Sequence, residues 1–176
     1  THDACSAAEL VVLARSLAQL EVALACGVRT LYCELEDPRK YRDAVHLESF
    51  GGCMLGQMCP PSLLLALTVL EGIFFLQHGV ESLSLSYAQQ TSPAQDVAAL
   101  HALRRLADAR LGAADWHVVV YTYMGVFPRT PRGARGALAE SVRLCRAGGA
   151  RRLIVKTVAE AHRIPTVAEN VEALEL

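Results

Sequence analysis

The sequence has little of what nucleic-acid-binding and membrane proteins rely on. Only 6% of its 176 residues are aromatic, and the formal net charge at pH 7 is -1. It therefore lacks the stacking side chains and the basic surface that bind nucleic acids. Its longest apolar run, residues 63–76, is interrupted by Glu71 and Gly72 and is shorter than the ~20 residues of a membrane span. We expect neither nucleic acid nor membrane as a partner.

The six cysteines form no C-x-x-C pair, and their spacing is irregular. Such cysteines are usually free thiols in the core, which suits a reducing compartment. The ligand spacing of a structural zinc site is absent. The first residues also lack the basic segment of a signal peptide. The sequence therefore predicts a cytoplasmic protein without a metal site.

What is present is an alternation of short apolar runs with longer helical stretches. The composition is 52% apolar and 20% charged, enough for a sizeable core. The predicted strands are Val11–Ala14, Thr30–Cys33, Ser82–Ser86, Val118–Tyr121 and Leu153–Lys156, with a weaker one near Cys53–Gly56. The predicted helices are Ser16–Cys26, Pro60–His78, Pro93–Leu111 and Arg132–Ala147. Helices that begin at Pro and end at Gly separate these strands, which indicates parallel strands with right-handed crossovers.

The fold prediction is an α/β protein built of parallel (βα) units of the TIM-barrel type. Since five or six units are visible in 176 residues and a closed barrel usually needs at least ~200 residues, the barrel is expected to be incomplete. A fragment, an open sheet and a barrel completed by a second copy all remain open. We expect a single domain, residues 1–176, with a seam near Val45.

Polar side chains stand where the predicted strands end. In barrels the chemistry lies at the carboxyl ends of the strands, so these residues are candidate binding residues, although polar residues also mark ordinary strand-to-loop transitions. We expect Tyr87, Tyr121 and Lys156 to face a common pocket. The candidates are Tyr87 and Gln89, Tyr121 and Tyr123, and Lys156 with Glu160.

Two charged residues stand in apolar surroundings. Lys156 directly follows Leu-Ile-Val, and a buried charge must be paired, so Glu160 is its expected salt-bridge partner; a purely structural pair is the alternative. Glu71 lies in the apolar stretch LLLALTVLEGIFFL. It is either a buried carboxylate that binds a ligand or a member of one exposed helix face.

From Glu48 onward, three stretches resemble the epsilon (catalytic) subunit of glutamate mutase, also called methylaspartate mutase. They are ESFGGCMLGQMCPPSLLLALTVLEGIFFLQHGVESLSLSYAQQTSPAQDVAALHAL, HVVVYTYMGVFPRTP and LIVKTVAEAHRIPTVAEN. The resemblance implies a (βα)8 barrel and the reversible radical conversion of L-glutamate to 3-methylaspartate. It also implies adenosylcobalamin as cofactor, bound mainly by a small cobalamin-binding partner subunit that caps the barrel, and therefore an oligomeric enzyme.

The resemblance also implies roles for individual residues. Lys156 and Glu160 match a K-T-x-x-E motif whose Lys and Glu contact the ribose of the adenosyl group. A glutamate in the region of Glu71 is expected to hold the substrate amino group. The polar strand ends at Tyr87, Gln89, Tyr121 and Tyr123 are expected to line the substrate pocket. No catalytic residue is assigned.

The likeness has two departures. Leu47 stands where the family has an arginine, directly before the E-x-F-G stretch, that clamps a substrate carboxylate. Residues 1–45 instead weakly resemble the U32 peptidase-like family. Two alternatives therefore stay open: a degenerate barrel that acts as an interaction protein, and a U32-like hydrolase or iron–sulfur protein. The last would need four cysteines to converge, namely Cys33, Cys53, Cys59 and Cys145.

Overall fold

A computed structural model describes residues 11–14, 17–27, 30–33, 46–53 and 58–175. The chain divides into two compact units, Thr1–Ala44 and Val45–Leu176. The division falls where the sequence suggests a seam. That the two units form one domain stays a prediction.

The first unit contains one βα unit followed by a second strand. Strand β1 is Val11–Ala14, helix α1 is Leu17–Ala25 and strand β2 is Thr30–Cys33. The two strands pair in parallel, with Val11 beside Thr30. Both predicted strands are confirmed, and the predicted helix Ser16–Cys26 is one residue shorter at each end.

The second unit is a four-stranded parallel sheet whose strands follow one another in chain order. A helix connects each strand to the next, as the alternating pattern predicts. The order along the chain is β3 His46–Ser49, α2 Pro61–Gln77, β4 Ser82–Ala88, α3 Pro93–Leu111, β5 Asp115–Tyr121, α4 Pro131–Gly148 and β6 Arg152–Ile154. A short 3-10 helix, Val158–Ala161, and helix α5, Val167–Leu174, follow.

The α/β class and the parallel order of β4, β5 and β6 are confirmed. As far as the described residues go, the sheet is open, with β3 and β6 at its edges. The weak strand expected near Cys53–Gly56 is wrong at Cys53, which lies in a turn, while residues 54–57 fall outside the described part. The strand lies earlier, at His46–Ser49. The polar sequence His-Leu-Glu-Ser hid it, since His46, Glu48 and Ser49 form hydrogen bonds to polar groups of other elements.

The two faces of this sheet differ, because successive side chains of a strand point to opposite sides. One side, called here the helix face, packs against α2 and α3. Its strand residues are Leu83, Leu85 and Tyr87 from β4 with Val118 and Val120 from β5, and its helix residues include Leu65, Val69, Leu100 and Leu103. This apolar layer is the main core of the unit and fixes the orientation of the opposite face.

Two glycines let the turn after β3 lie close to its neighbours, Gly52 to strand β4 and Gly51 to helix α2. A Cβ on Gly52 would lie 1.7 Å from the carbonyl oxygen of Ser86, and one on Gly51 would lie 2.7 Å from the backbone nitrogen of Thr68. The amide of Ala88 donates to the carbonyl of Gly52 at 3.1 Å. Only glycine fits this approach, which places the end of β3 beside the end of β4.

Within the described residues, no helix has both the length and the apolar character needed to cross a bilayer.

Candidate functional site

The face of the β3–β6 sheet opposite the helices carries a hydrogen-bonded set of side chains. We call this surface the polar face. Alternation places every second residue of each strand there. Its polar members are His46 and Glu48 on β3, Ser82, Ser84 and Ser86 on β4, Asp115, His117 and Tyr121 on β5, and Arg152 on β6, and the same alternation places the apolar Val119 and Ile154 among them.

Glu48, on the edge strand β3, accepts hydrogen bonds from both β4 and β5. The Tyr121 hydroxyl donates to its Oε1 at 2.5 Å, and the Ser84 hydroxyl donates to its Oε2 at 3.2 Å. Burial raises the pKa of the Glu48 carboxyl, while the two hydrogen bonds and the charge of Arg152 oppose that rise. A carboxyl group so placed resists ionisation and is a candidate acid or base.

His46 lies beside Glu48, nearer the amino ends of the strands. Its Nδ1 is 2.7 Å from the Ser82 hydroxyl and its Nε2 is 3.3 Å from the Ser84 hydroxyl. Its ring stacks on that of His117, with centroids 5.2 Å apart. Burial lowers the pKa of both imidazoles, that of His117 to about 4, and the charge of Arg152 acts in the same direction. Both rings therefore favour the neutral form.

The polar face also holds two buried atoms without a hydrogen-bond partner among the described residues. They are Nε2 of His117 and Oγ of Ser86, which makes no hydrogen bond of good geometry although it lies close enough to the Cys53 thiol to oppose the rise in the pKa of that thiol. A buried polar group left unsatisfied costs about 1–3 kcal/mol. Both atoms are closed off from solvent, so their missing hydrogen bonds are a cost to the stability of this face.

Tyr121 stands at the carboxyl end of the polar face. In addition to Glu48, it contacts the ring of Phe50 edge-on, with centroids 6.2 Å apart. Phe50 directly follows β3, so the ends of β3 and β5 meet here. Of the predicted substrate-binding residues, Tyr121 has the placement that such a role requires.

Tyr87 points the other way. It is fully buried on the helix face, and its hydroxyl donates to Oδ1 of Asp96 at 2.8 Å. Burial, followed by this hydrogen bond and the charge of Asp96, raises the pKa of Tyr87. The expected common pocket of Tyr87, Tyr121 and Lys156 is therefore not formed, because strand alternation puts Tyr87 with Leu83 and Leu85.

Gln89 and Tyr123 shape the edge of the sheet just beyond the strands. The amide of Gln89 donates to the carbonyl of Tyr121 at 2.9 Å, and its side-chain oxygen accepts from the amide of Tyr123 at 3.1 Å. Gln89 is buried, and Tyr123 is half-buried with its ring against Gly125. The backbone and side-chain amides of Gln89 thus hold the backbone at the end of β5 in place.

Glu71 holds the turn after β3. The Ser49 hydroxyl donates to its Oε2 at 2.7 Å, and the amide of Gly51 donates to the same atom at 3.0 Å. These bonds explain a carboxylate in so apolar a helix, since buried charges need hydrogen-bond partners. In this structure the contacts of Glu71 are those of a residue that anchors a loop.

Lys156 and Glu160 form the predicted salt bridge, with Nζ 3.3 Å from Oε1. Their side chains are 21% and 34% exposed, so a small ligand can still reach both. The Lys156 ammonium also lies 5.5 Å from the centroid of the Phe127 ring. The hydroxyl of Thr157 accepts from the amide of Ala159 and begins the 3-10 helix that carries Glu160.

The sequence reasoning missed Glu48 and His46. A signal was available in the stretch Ser82–Ser86, where serine alternates with leucine. Alternation with period two predicts one polar and one apolar face. A serine face on a central strand requires polar residues on the neighbouring strands, which His46 and Glu48 supply.

Comparison with known proteins places these residues in a family. The family profile of the methylaspartate mutase E chain (MutE) matches residues 41–176. This chain belongs to the methylaspartate mutase E chain family. The matched range contains β3 to α5, and with them the polar face and the Lys156–Glu160 pair.

Curated relatives agree with this assignment. The glutamate mutase epsilon subunit of Escherichia coli O157:H7 is 32% identical over 136 residues, which are 74% of this chain and 28% of that protein. The epsilon subunit of Desulfitobacterium hafniense strain Y51 is 36% identical over 132 residues, 72% of this chain and 27% of the relative. The epsilon subunit of Treponema denticola is 33% identical over 135 residues, which are 73% of this chain and 28% of that relative. The match thus spans little more than a quarter of the length of these relatives.

Proposed function

We propose that this chain belongs to the catalytic subunit of an adenosylcobalamin-dependent mutase that interconverts L-glutamate and 3-methylaspartate by a radical mechanism. Family membership supports an isomerase of this type. In this proposal the second unit is part of a (βα) barrel, and its polar face looks into the barrel. A small cobalamin-binding subunit is the proposed partner, and the cytoplasm is the proposed location.

The observation that carries the proposal is the Lys156–Glu160 pair. An ammonium donor 3.3 Å from a carboxylate acceptor fits two neighbouring hydroxyls of a ribose, which can donate to one group and accept from the other. Both side chains are partly exposed, two and six residues beyond the end of β6. The fit concerns the adenosyl end of the cofactor alone.

When bound, adenosylcobalamin would supply the radical chemistry, and the protein would supply position and electrostatics. Lys156 and Glu160 would hold the ribose hydroxyls. Tyr121, oriented by its bond to Glu48, would present its ring and oxygen to the substrate at the carboxyl end of the sheet. Tyr123 would border the same edge, while Gln89 and Glu71 would keep the loops of that edge in place.

Equilibrium binding of 5′-deoxyadenosine to the purified chain tests the proposal. We expect Lys156→Ala and Glu160→Gln each to weaken binding at least about tenfold, since each removes one charge-assisted hydrogen-bonding group. Arg135→Ala and Glu172→Gln serve as matched controls, because this exposed pair, 2.8 Å apart, lies on α4 and α5. Equal affinity in all variants, or no binding by the wild-type chain, would contradict the adenosyl-binding role.

A second candidate is a barrel that keeps the adenosyl-binding edge but has lost turnover of glutamate. It rests on the sequence resemblance alone, in which Leu47 replaces an arginine, because in this structure Leu47 pairs with Leu83 and so lies on the helix face, away from the polar face. The discriminating experiment mixes the chain with a cobalamin-binding subunit, adenosylcobalamin and L-glutamate, and follows 3-methylaspartate. Turnover would exclude the degenerate barrel, whereas adenosyl binding without turnover would favour it.

A further inference from the structure

We propose that Glu48 and His46 share one exchangeable proton through the hydroxyl of Ser84. The inference uses only the hydrogen bonds of the polar face and holds whether or not the chain takes part in a mutase. It makes Glu48 an acid–base group of this surface. After Glu48 has given up its proton, His46 can supply another through Ser84.

The argument begins with the number of protons available for the hydrogen bonds. Ser82 has one hydroxyl proton, which it donates to Oδ2 of Asp115 at 2.6 Å. It must therefore accept from Nδ1 of His46, which lies at 2.7 Å. Nδ1 of His46 is thus the nitrogen that carries a proton in the neutral ring. Any further proton that the ring gains or loses is therefore bound at Nε2.

The Ser84 hydroxyl stands between Nε2 of His46, at 3.3 Å, and Oε2 of Glu48, at 3.2 Å. It has a single proton and two neighbours that could each accept it. Both contacts are complete hydrogen bonds only if one further proton is present, either on Nε2 or on Oε2. Without that proton, one of the two half-buried groups loses its hydrogen bond to Ser84.

The two complete arrangements differ by a double proton shift. In one, Glu48 is a carboxylate that accepts from Ser84, and His46 is an imidazolium that donates to Ser84 from Nε2. In the other, the proton has left Nε2 for the serine oxygen while the serine proton has moved to Oε2. The imidazole and the carboxyl group are then neutral, and every bond broken is matched by one formed.

The surroundings decide which arrangement prevails. Burial disfavours both charges, and it raises the pKa of Glu48 and lowers that of His46. Arg152 opposes a cation on His46, and Asp115 favours it. The neutral arrangement is therefore the main one. The charged and titratable groups around His46 within the described residues are Glu48 on its own strand, Asp115, His117 and Tyr121 on β5, and Arg152 on β6.

The consequence is a route for a proton along the polar face. Glu48 meets Tyr121 at the carboxyl end, where a ligand is expected, and His46 meets Asp115 through Ser82 at the other end. Asp115 is exposed to solvent. A proton taken up or released at half-buried Glu48 can therefore be balanced at the far edge of the sheet through the side chains of the polar face.

Nuclear magnetic resonance of ring-labelled histidine and of the Glu48 carboxyl carbon tests the proposal on the wild-type chain. We expect neutral His46 protonated on Nδ1 near pH 6.5, with Glu48 still protonated above the ordinary glutamate range. Ser84→Ala should shift the Glu48 titration by at least about 0.5 pH units and release the tautomer of His46. Ser86→Ala is the matched control, since its hydroxyl lies on the same strand and face without a partner, and it should leave both signals unchanged.

A second variant keeps the test decisive if Ser84→Ala does not fold. Glu48→Gln retains a donor to Ser84 but carries no acidic proton, so His46 should remain neutral to a lower pH than in the wild type. Three results would each overturn the proposal: His46 protonated on Nε2 alone, a Glu48 titration at or below the ordinary glutamate range in the wild type, or a His46 titration unchanged by Glu48→Gln.

Discussion

Two tyrosines on neighbouring strands of the same sheet end in different surroundings. Tyr87 donates to Asp96 behind the sheet, among leucines of the helix face, and is fully buried. Tyr121 donates to Glu48 in front of it, among serines and histidines, and is half-buried. Both carboxyl groups have a raised pKa because of burial. The same tyrosine–carboxyl hydrogen bond is thus part of the buried core on the helix face. On the polar face it leaves Glu48 as a carboxyl group that can react.

The largest expected difference between the faces concerns apolar packing. Leu85 is fully buried in the helix-face core, so Leu85→Ala should lower the free energy of unfolding by about 2–5 kcal/mol through the cavity it leaves. Urea denaturation measures it. A loss below ~1 kcal/mol would mean that the helix face is not the main core of the unit.

The tyrosine hydroxyls themselves should differ next. Tyr87→Phe removes the donor to buried Asp96 and leaves it the amide of Gln90, which we expect to cost about 2 kcal/mol. Tyr121→Phe should cost about 1 kcal/mol or less, because Glu48 keeps Ser84 and is less enclosed. Urea denaturation measures both changes. If the two variants lost the same free energy of unfolding, the Tyr87–Asp96 and Tyr121–Glu48 hydrogen bonds would contribute equally to stability, contrary to this prediction.

The polar face should also make stability depend on pH. The pKa of His117 is about 4 in the folded protein against 6.5 for the free side chain. The unfolded chain therefore binds more protons between these values, and stability falls as the pH is lowered from 6.5 to about 4. We expect a loss on the order of 1–2 kcal/mol, discounted for solvent screening. His117→Gln should flatten part of this slope in denaturation curves recorded across the window, and an unchanged slope would contradict it.

The smallest effect is expected at Ser86, the neighbour of Leu85 on the opposite face. Its buried hydroxyl has no partner among the described residues, so Ser86→Ala should change the free energy of unfolding by less than about 0.5 kcal/mol, or raise it. A clear loss in the same denaturation assay would show that an ordered water or another polar group completes this site.

Much of the fold follows from the sequence because two of its strands are apolar enough to be recognised. The pattern predicts most of β4 and β5 and their helices, since Leu and Val fill the helix face. It misses β3, where His46 and Glu48 form their hydrogen bonds with Ser82, Ser84 and Tyr121. Those contacts come from β4 and β5, more than 30 residues further along the chain, and no local pattern contains them.

The candidate site was predicted unevenly for a related reason. Lys156 and Glu160 are four residues apart, so their salt bridge follows from local spacing and is confirmed. Tyr87 was misplaced because strand ends were considered without their alternation. Tyr87 is two and four residues from Leu85 and Leu83 and therefore faces the same side of the sheet as they do, whereas Tyr121 is four residues from His117 and faces the opposite side. The alternation of side chains along each strand would have assigned the two tyrosines to different faces.

The most direct measurement maps the backbone amide shifts of the labelled chain as 5′-deoxyadenosine is added. The account predicts changes at Lys156, Thr157, Glu160 and Tyr121, at the carboxyl edge of the sheet. It predicts no change at Ser82 and Asp115, which lie at the amino edge. Shifts centred on the amino edge, or no saturable shifts at all, would contradict the claim that this chain carries the adenosyl-binding edge of a mutase.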